Sequence, residues 1–308
     1  MSLSAVIHNR PPFPQFKLGT QAKAMSNTDG VSFHTAQWER QSTWLAHLRE
    51  HKQQLQLTGV QGFDLLESMA TLGINHKLAS QKDRCTRCWH TNFYCICSQL
   101  KQIILQQHNV VKILILMHHK EYMSAGNSAK LLLQLFPSMT ELYIFGKEGD
   151  IDRLFKDINV ELVTPIILWP GKDAVSTTDL LKSIQRNHKK QEINQSILIN
   201  AILLDGTYNQ ARNMHKSLKK KWKSKIPTAV ALKPLSESVF HRAQKNYGEA
   251  QKQNSRCYDA VLRVSTAEAC GVLLHELGVC EDNVLSMITT AVRLNNDALK
   301  FSRHHLND

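Results

Sequence analysis

The chain has 308 residues, of which 42% are hydrophobic, and its 38 basic against 26 acidic residues give a formal net charge of +12 at pH 7. This composition indicates one large domain or a core domain with an appendage, and it excludes wholesale disorder because the chain can bury a substantial core. We expect no membrane span and no secretory signal, since no long apolar run occurs. So basic a chain favours an acidic partner, of which nucleic acid is the commonest.

The first 80 residues are predicted to form an extension, with a flexible arm over about 1–30 followed by helices around Trp44 and Leu66. From residue 110 onward, short apolar runs alternate with helical patterns, which is typical of an α/β fold with a largely parallel sheet and flanking helices. The predicted strands cover 110–118, 141–146, 163–169, 196–205 and 227–232. The predicted helices cover 129–136 (capped by Asn127), 150–156, 178–187, a segment from about 209, 264–277 and 283–294.

Four of the seven cysteines fall within thirteen positions with the spacing C-x2-C-x6-C-x-C: Cys85, Cys88, Cys95 and Cys97. A secreted disulfide framework spreads its cysteines through a small fold, so this tight cluster in a large chain favours a reducing, cytoplasmic location and metal ligation. Four thiolates form a closed tetrahedral set for structural Zn(II). An iron–sulfur cluster is the alternative. We expect a metal-binding knuckle over 81–100 and a catalytic domain over 101–308.

Asp205 ends the most apolar predicted strand and is followed by a helix, which is where open α/β sheets bind ligands. Gly206 allows close approach of the backbone, and Thr207 or Asn209 can cap the helix. This pattern predicts a site carboxylate, although an ordinary capping or turn carboxylate explains it equally well.

The helix after Asp205 has an apolar face and, between residues 209 and 225, no acidic residue. A solvated helix face normally mixes charges, so this unmixed face predicts phosphate contacts. The alternative is a basic face with no partner. The basic residues that we expect to contact phosphate are Arg212, Lys216, Lys219 and Lys220.

Two further stretches carry candidate site residues. Ser265 and Glu268 form a capping box before an apolar helix, whose start also offers N–H groups to an anion. The polar stretch 118–128 follows a predicted strand and contains Glu121, either a substrate or cofactor contact or a partner of Lys120.

Taken in order, the cysteine cluster, the His119–Glu121 stretch, the segment 205–212 and the segment 265–269 resemble the DTW-domain family of tRNA-uridine aminocarboxypropyltransferases. The resemblance covers about residues 84–280. Tyr208 stands where this family usually has tryptophan. His119-Lys120-Glu121 stands where the family more commonly has His-Pro-x-Glu.

The resemblance implies a fold like that of SPOUT-class RNA methyltransferases, with S-adenosylmethionine held at a C-terminal trefoil knot. It implies transfer of the 3-amino-3-carboxypropyl group to N3 of a tRNA uridine, with release of 5′-methylthioadenosine. In this interpretation Asp205 is the general base or orients the ammonium of the cofactor. The expected cofactor contacts are Pro170, Gly206, Thr207, Ser265, Thr266 and Glu268. The expected RNA contacts are Glu121, Tyr208, Arg212, Lys216, Lys219 and Lys220.

Two alternatives remain open from the sequence. One is an S-adenosylmethionine-dependent RNA methyltransferase with the same fold and a different transferred group. The other is a non-catalytic, zinc-stabilised RNA-binding module. The sequence predicts no oligomeric state, and a monomer is compatible with it.

Overall fold

The computed structural model describes residues 27–81, 83–105, 110–190, 197–233, 238–239, 264–280 and 282–304. The chain divides into two compact units, with the boundary between Thr58 and Gly59. In the first unit, helix α1 spans Asn27–Leu57. Stacked rings of Trp44, His47 and His51 lie along this helix.

The second unit is built on a parallel sheet with the strand order β2-β1-β5-β3-β6-β4. Its strands are β1 (Val110–His118), β2 (Thr140–Phe145), β3 (Val163–Leu168), β4 (Val175–Ser176), β5 (Leu198–Asp205) and β6 (Thr228–Ala231). Strand β5 is central and pairs with β1 on one side and β3 on the other, with Met117 opposite Asp205. The carboxyl ends of β1, β3 and β5 therefore share one edge of the sheet.

Helices cover both faces of this sheet. They are α2 (Gly62–Ser80), α3 (Leu132–Leu135), α4 (Asp150–Ile158), α5 (Thr177–Lys190), α6 (Tyr208–Trp222), α7 (Thr266–Glu276) and α8 (Asp282–His304). Along β1, Ile113, Ile115 and Met117 pack with α3, α5, α7, α8 and the segment 83–100 that carries the four cysteines. Leu114 and Leu116 pack with α4 and α6 on the other face. Side chains alternate across a strand, so burial on both faces explains why the strands read as continuous apolar runs.

Helix α2 lies against the carboxyl edge of β2. The ring of Phe63 meets that of Phe145 edge-on, with their centroids 5.9 Å apart. Gly146 has a φ of +92°, and a Cβ at this position would lie 2.7 Å from the Cβ of Ala70. Only glycine suits this left-handed, crowded position, and its absence of a side chain lets α2 come close to the edge where Asp205 lies.

The α/β class, the parallel sheet and the flanking helices are confirmed, and the five predicted strands match observed strands to within two residues at each end. The helix predicted over 129–136 differs: it is a 3-10 turn (Ala129–Leu131) followed by the single turn of α3. The two-residue strand β4 was not predicted because it is too short to show a period. Residues 1–26 and 240–263 lie outside the described residues, and the arm and the trefoil knot stay predictions.

Candidate active site

Asp205 is held by two side chains from distant parts of the chain. It is 3% exposed at the end of β5. The side-chain amide of Asn127 donates to its Oδ2 at 2.5 Å, and the hydroxyl of Thr266 donates to its Oδ1 at 2.7 Å. The two donors fix the plane of the carboxylate, since each engages a different oxygen. Asp205 is therefore a buried carboxylate with a fixed orientation, which an ordinary capping or turn carboxylate would not need.

The start of α6 places the residues that follow Asp205. Thr207 is the N-cap, and its hydroxyl accepts from the backbone N–H of Gln210 while the Gln210 side chain accepts from the N–H of Thr207. A Cβ at Gly206 would lie 3.1 Å from the Cβ of Gln210 and 3.4 Å from that of His118. Glycine at this position thus allows a tight exit from the strand, and the Thr207 side chain is engaged as a cap.

The start of α7 is built in the same way. Ser265 and Glu268 form the predicted capping box. The buried Glu268 carboxylate also accepts hydrogen bonds from the hydroxyl of Ser238 and from the backbone N–H of Val239, each at 2.8 Å. Glu268 thus holds a neighbouring segment against the helix. The cofactor contacts assigned to Ser265 and Glu268 stay predictions.

The loop after β1 is partly buried and is held by a lysine of α2. The ammonium of Lys77 on α2 donates to the carbonyls of His119, Lys120 and Tyr122 at 3.4, 2.6 and 3.0 Å. Burial lowers the pKa of His118 to about 4, with further contributions from His119, Lys120 and Lys77. Burial, Lys120 and Lys77 likewise lower the pKa of His119 to about 4, despite a backbone hydrogen bond to Phe145. Both imidazoles are therefore neutral at neutral pH.

Glu121 lies in this loop and is 8% exposed. Its backbone N–H donates to the carbonyl of His118 at 2.8 Å. Its charge favours the protonated form of Lys77, whose pKa burial lowers. The contact of Glu121 with substrate stays a prediction.

The four cysteines converge on one point. Their sulfur atoms all lie within 4.8 Å of one another, with Cys85 and Cys97 3.6 Å apart and Cys88 and Cys95 3.7 Å apart. A tetrahedral zinc ion with Zn–S bonds of about 2.3 Å places its ligands about 3.8 Å apart, so these separations fit a single ion. The four thiols are free of disulfides. The predicted metal-binding cluster is therefore confirmed as a site that can hold an ion.

The cysteine segment, residues 83–100, is anchored to the rest of the second unit through a buried histidine. His90 is 1% exposed, and its Nε2 lies 3.0 Å from the side-chain oxygen of Asn295 on α8. Burial and the nearby Lys130 lower the pKa of His90 to about 4. His90 thus docks the segment against α8.

Burial raises the pKa of a thiol, but at Cys85 other effects dominate. Backbone N–H groups of Cys88 and Arg87, with the thiols of Cys95 and Cys97, lower the pKa of Cys85 to about 6. Burial and the neighbouring thiols raise the pKa of Cys97. The thiolate, which is the form that binds a metal ion, is therefore favoured at Cys85 over Cys97.

The family model of the DTW domain matches residues 82–296, which is more than half of the chain. The chain belongs to the DTW domain family. This membership is consistent with a tRNA-modifying function. Neither a curated protein nor a solved structure matches the chain. In the described part of the chain, no helix combines the length and the apolar character needed to cross a membrane.

Three stacked rings follow the same edge of the sheet, running from the exposed Tyr208 through the half-buried Trp169 to the buried His215. Tyr208 at the start of α6 is 39% exposed, and its ring is nearly parallel to that of Trp169, at 11° with 6.2 Å between centroids. Trp169 also stacks on His215 at 4.5 Å. Arg212 lies 5.6 Å from the centroid of the Tyr208 ring. Pro170, exposed after β3, follows Trp169 at the same edge.

The predicted basic face of α6 points to solvent. Its apolar face is buried, as predicted. Within the described ranges, the four predicted phosphate contacts are exposed and lie more than 4.0 Å from every carboxylate oxygen: Arg212, Lys216, Lys219 and Lys220. The neighbouring Lys221 differs, because it pairs with Asp152 at 2.8 Å.

Sequence reasoning missed two residues of this site and undervalued a third. The sequence pattern predicts Asn127 as a helix cap, and its place in the polar stretch after β1 is the available signal for its contact with Asp205. Nothing in the sequence pattern distinguished Lys77 from other helix lysines. The sequence predicts Trp169 as the last residue of a strand, whereas β3 ends at Leu168 and the Trp169 ring stacks beside the site.

Proposed function

We propose that this DTW-domain protein transfers the 3-amino-3-carboxypropyl group of S-adenosylmethionine to N3 of a tRNA uridine. The observation that carries the proposal is the convergence of Asn127 and Thr266 on the buried carboxylate of Asp205. The three residues come from separate segments and meet at the carboxyl edge of a parallel sheet, which is where such sheets bind ligands.

The residues at this edge fit S-adenosylmethionine by charge. When bound, this co-substrate supplies a sulfonium that activates the transferred carbon toward a nucleophile. The cofactor carries an ammonium and a sulfonium, and Asp205 offers a negative charge beside the starts of α6 and α7. We expect Gly206, Thr207, Ser265 and Thr266 to line the cofactor, with Pro170 at the end of β3.

Asp205 acts as the general base in this proposal. Uracil N3 is a weak nucleophile while it keeps its proton, so the proton must leave as the bond forms. Asp205 accepts that proton while the N3–carbon bond forms and the carbon–sulfur bond breaks. The electron pair of the broken bond leaves on the sulfur of 5′-methylthioadenosine. Asn127 and Thr266 keep the carboxylate aimed during the transfer.

The basic face of α6 holds the RNA. Arg212, Lys216 and Lys219 recur at four and seven residues along the helix and therefore share one side of it. A uridine must be unpaired or flipped out to expose N3. Tyr208 offers a partly exposed aromatic surface between this face and Asp205.

We also propose zinc as the ion of the four-cysteine centre. Its sulfur separations fit one ion, whereas a polynuclear iron–sulfur cluster places its ligands on different metal atoms. A closed set of four thiolates leaves no position for a substrate, so the centre is structural.

The deciding experiment is nucleoside mass analysis of unmodified tRNA after incubation with the purified protein and S-adenosylmethionine. We expect a uridine that gains the aminocarboxypropyl mass with the wild-type chain and not with D205N. The matched control is D150N, which changes another buried carboxylate whose Oδ2 accepts from the backbone N–H of Ile144 at 2.8 Å. An amide oxygen can replace that acceptor, so D150N should retain activity.

Other outcomes select the alternatives. A methyl mass would indicate a methyltransferase. No mass change with intact, salt-sensitive tRNA binding would indicate a binding module. If D205N weakens S-adenosylmethionine binding while the residual rate keeps its wild-type pH profile, Asp205 anchors the cofactor ammonium and is not the base.

The RNA contacts have their own test. Each lysine that neutralises a phosphate contributes about 0.7–0.9 to the slope of log K against log salt. We expect K219Q to lower this slope by about that amount. K182Q, which removes an exposed lysine from α5, should leave it unchanged. An unchanged slope for K219Q would remove this residue from the interface.

A further inference from the structure

Lys130 is a lysine buried in the interior of the second unit. It is 0% exposed. Burying an ammonium without compensation is costly, and lysine is almost never fully buried unless it is paired. In the described ranges, no carboxylate oxygen lies within 4.0 Å of its Nζ. Its charge therefore needs another source of compensation.

The compensation available lies in the cysteine segment. The Nζ of Lys130 is 5.8 Å from the centroid of the Trp89 ring, and Trp89 directly follows Cys88. Burial lowers the pKa of Lys130, and Arg84 acts in the same direction, whereas the thiols of Cys88, Cys97 and Cys85 favour its charged form. Four thiolates around a divalent cation carry a net charge of −2, so the loaded centre would supply the negative charge that the ammonium needs.

The same residue also contacts the candidate active site. The Lys130 ammonium turns back to donate to the carbonyl of Ala125 at 2.5 Å. Its backbone N–H donates to the side-chain oxygen of Asn127 at 3.1 Å, and Asn127 donates to Asp205. The segment 125–130 is thus fixed at both ends by Lys130, and it carries the amide that orients Asp205.

We propose that Lys130 is a positioning residue that couples the four-cysteine centre to Asp205. Its ammonium balances the metal-bound thiolates, and its backbone N–H holds Asn127 against the carboxylate. This inference rests on the proposed metal centre and is independent of the group that the enzyme transfers. The centre would then do more than stabilise the fold, because loss of the metal would loosen the segment 125–130, which orients Asp205 through Asn127.

The test measures zinc retention against a chelator for purified, zinc-loaded wild type, K130M, K130R and K77M. Methionine keeps most of the length of the lysine stem and removes its charge. Outer-shell changes typically weaken metal binding 10- to 100-fold, so we expect K130M to bind zinc at least about tenfold more weakly. K130R should recover most of the affinity. K77M removes a partly buried lysine that contacts a different loop, and it should stay within about twofold of wild type.

The coupling is read by the side-chain amide signals of Asn127 in ¹⁵N-labelled protein, assigned through the N127A variant. Zinc removal should shift these signals in the wild type, and loaded K130M should resemble the metal-free form. Unchanged zinc affinity in K130M would overturn the inference, even if its thermal stability at saturating zinc fell, since that result describes a packing role. Asn127 signals insensitive to zinc would overturn the coupling.

A wild-type chain that binds neither zinc nor cobalt would overturn this inference together with the metal centre. The transferase proposal would then still be judged separately, by the product mass with D150N and D205N.

Discussion

The four-cysteine centre is assembled from residues close together in the sequence, whereas the Asp205 site is assembled from residues far apart in it. All four thiols of the centre come from thirteen consecutive positions. Asp205, by contrast, is held by Asn127, 78 residues before it, and by Thr266, 61 residues after it. The first site can form once a short loop closes, whereas the second requires β1, β5 and α7 in their final places.

This difference predicts what each site depends on. A local thiolate site gains its stability from the ion, because metal-binding free energy becomes folding free energy. The Asp205 site gains its geometry from a sheet that is buried on both faces. Damage to the centre should therefore cause the larger loss of stability, while damage to the Asp205 donors should lower turnover with a smaller loss of stability.

The largest effect is expected for C88A. Cys88 is 0% exposed, and its loss removes a metal ligand. We expect C88A to lose its bound zinc and to lower the free energy of unfolding by at least about 5 kcal/mol. Zinc binding contributes roughly 10–16 kcal/mol in small zinc peptides, so this loss is smaller than the full binding free energy. Zinc content per chain and urea unfolding measure these changes.

The matched control for C88A is C270A. Cys270 is also 0% exposed, but it lies on α7 outside the cluster. Removing one small apolar side chain should cost about 1–2 kcal/mol and leave zinc bound. Equal losses in the two variants would show that the centre contributes packing and no metal-dependent stability.

The next effect is expected for T266V. Valine keeps the shape of threonine and removes the hydroxyl that donates to Asp205 at 2.7 Å. Without this donor the carboxylate is no longer held in one orientation, so turnover should fall roughly 10- to 100-fold. The unfolding free energy should fall by no more than the roughly 1.5–3 kcal/mol that one hydrogen bond to a charged group contributes. T266S should retain activity because it keeps the donor. A large fall in the unfolding midpoint of T266V would contradict the contrast drawn between the two regions.

The same contrast explains how far the sequence could predict each region. The spacing of the cysteines predicts the whole ligand set, because residues close together in a short loop are also close together in space. The apolar runs gave the strands, because burial on both faces leaves no polar positions to interrupt them. Asp205 was identified from its place after such a strand.

The donors of Asp205 could not be predicted in the same way. Which helix start lies beside which strand end depends on the strand order, and no local pattern encodes that order. Asn127 therefore read as a cap, although its Oδ1 does accept from the backbone of Lys130. Lys77 lies in a segment that the sequence placed in the extension, and its contacts with the loop after β1 are purely tertiary.

K77M should have a smaller effect than the preceding variants. Lys77 donates to three carbonyls of the loop after β1, and losing these bonds should cost about 1–3 kcal/mol of unfolding free energy. The control is K112M, which breaks the more exposed ion pair of Lys112 with Glu141 and should cost at most about 1 kcal/mol. Urea unfolding of both variants makes the comparison. A smaller loss for K77M than for K112M would show that α2 does not hold the loop.

The last effect is a dependence of stability on pH that arises at the Asp205 edge. The pKa of His119 is about 4 in the folded chain, lowered by burial and by Lys120 and Lys77, against about 6.5 in an unfolded one. Between these two values the unfolded chain binds a proton that the folded ring does not. The contribution of this ring is therefore complete above pH 6.5 and is lost as the pH falls toward 4.

H119N should flatten this dependence without removing it, because burial lowers the pKa of His118 and His90 in the same direction. H275N, which changes an exposed ring on α7, should keep the wild-type slope. Urea midpoints at pH 7.5, 5.5 and 4.5 measure the slope. If H119N and the wild type lose stability equally over this range, the proton uptake on unfolding lies elsewhere, and the neutral pair beside Asp205 does not set the acid sensitivity of the domain.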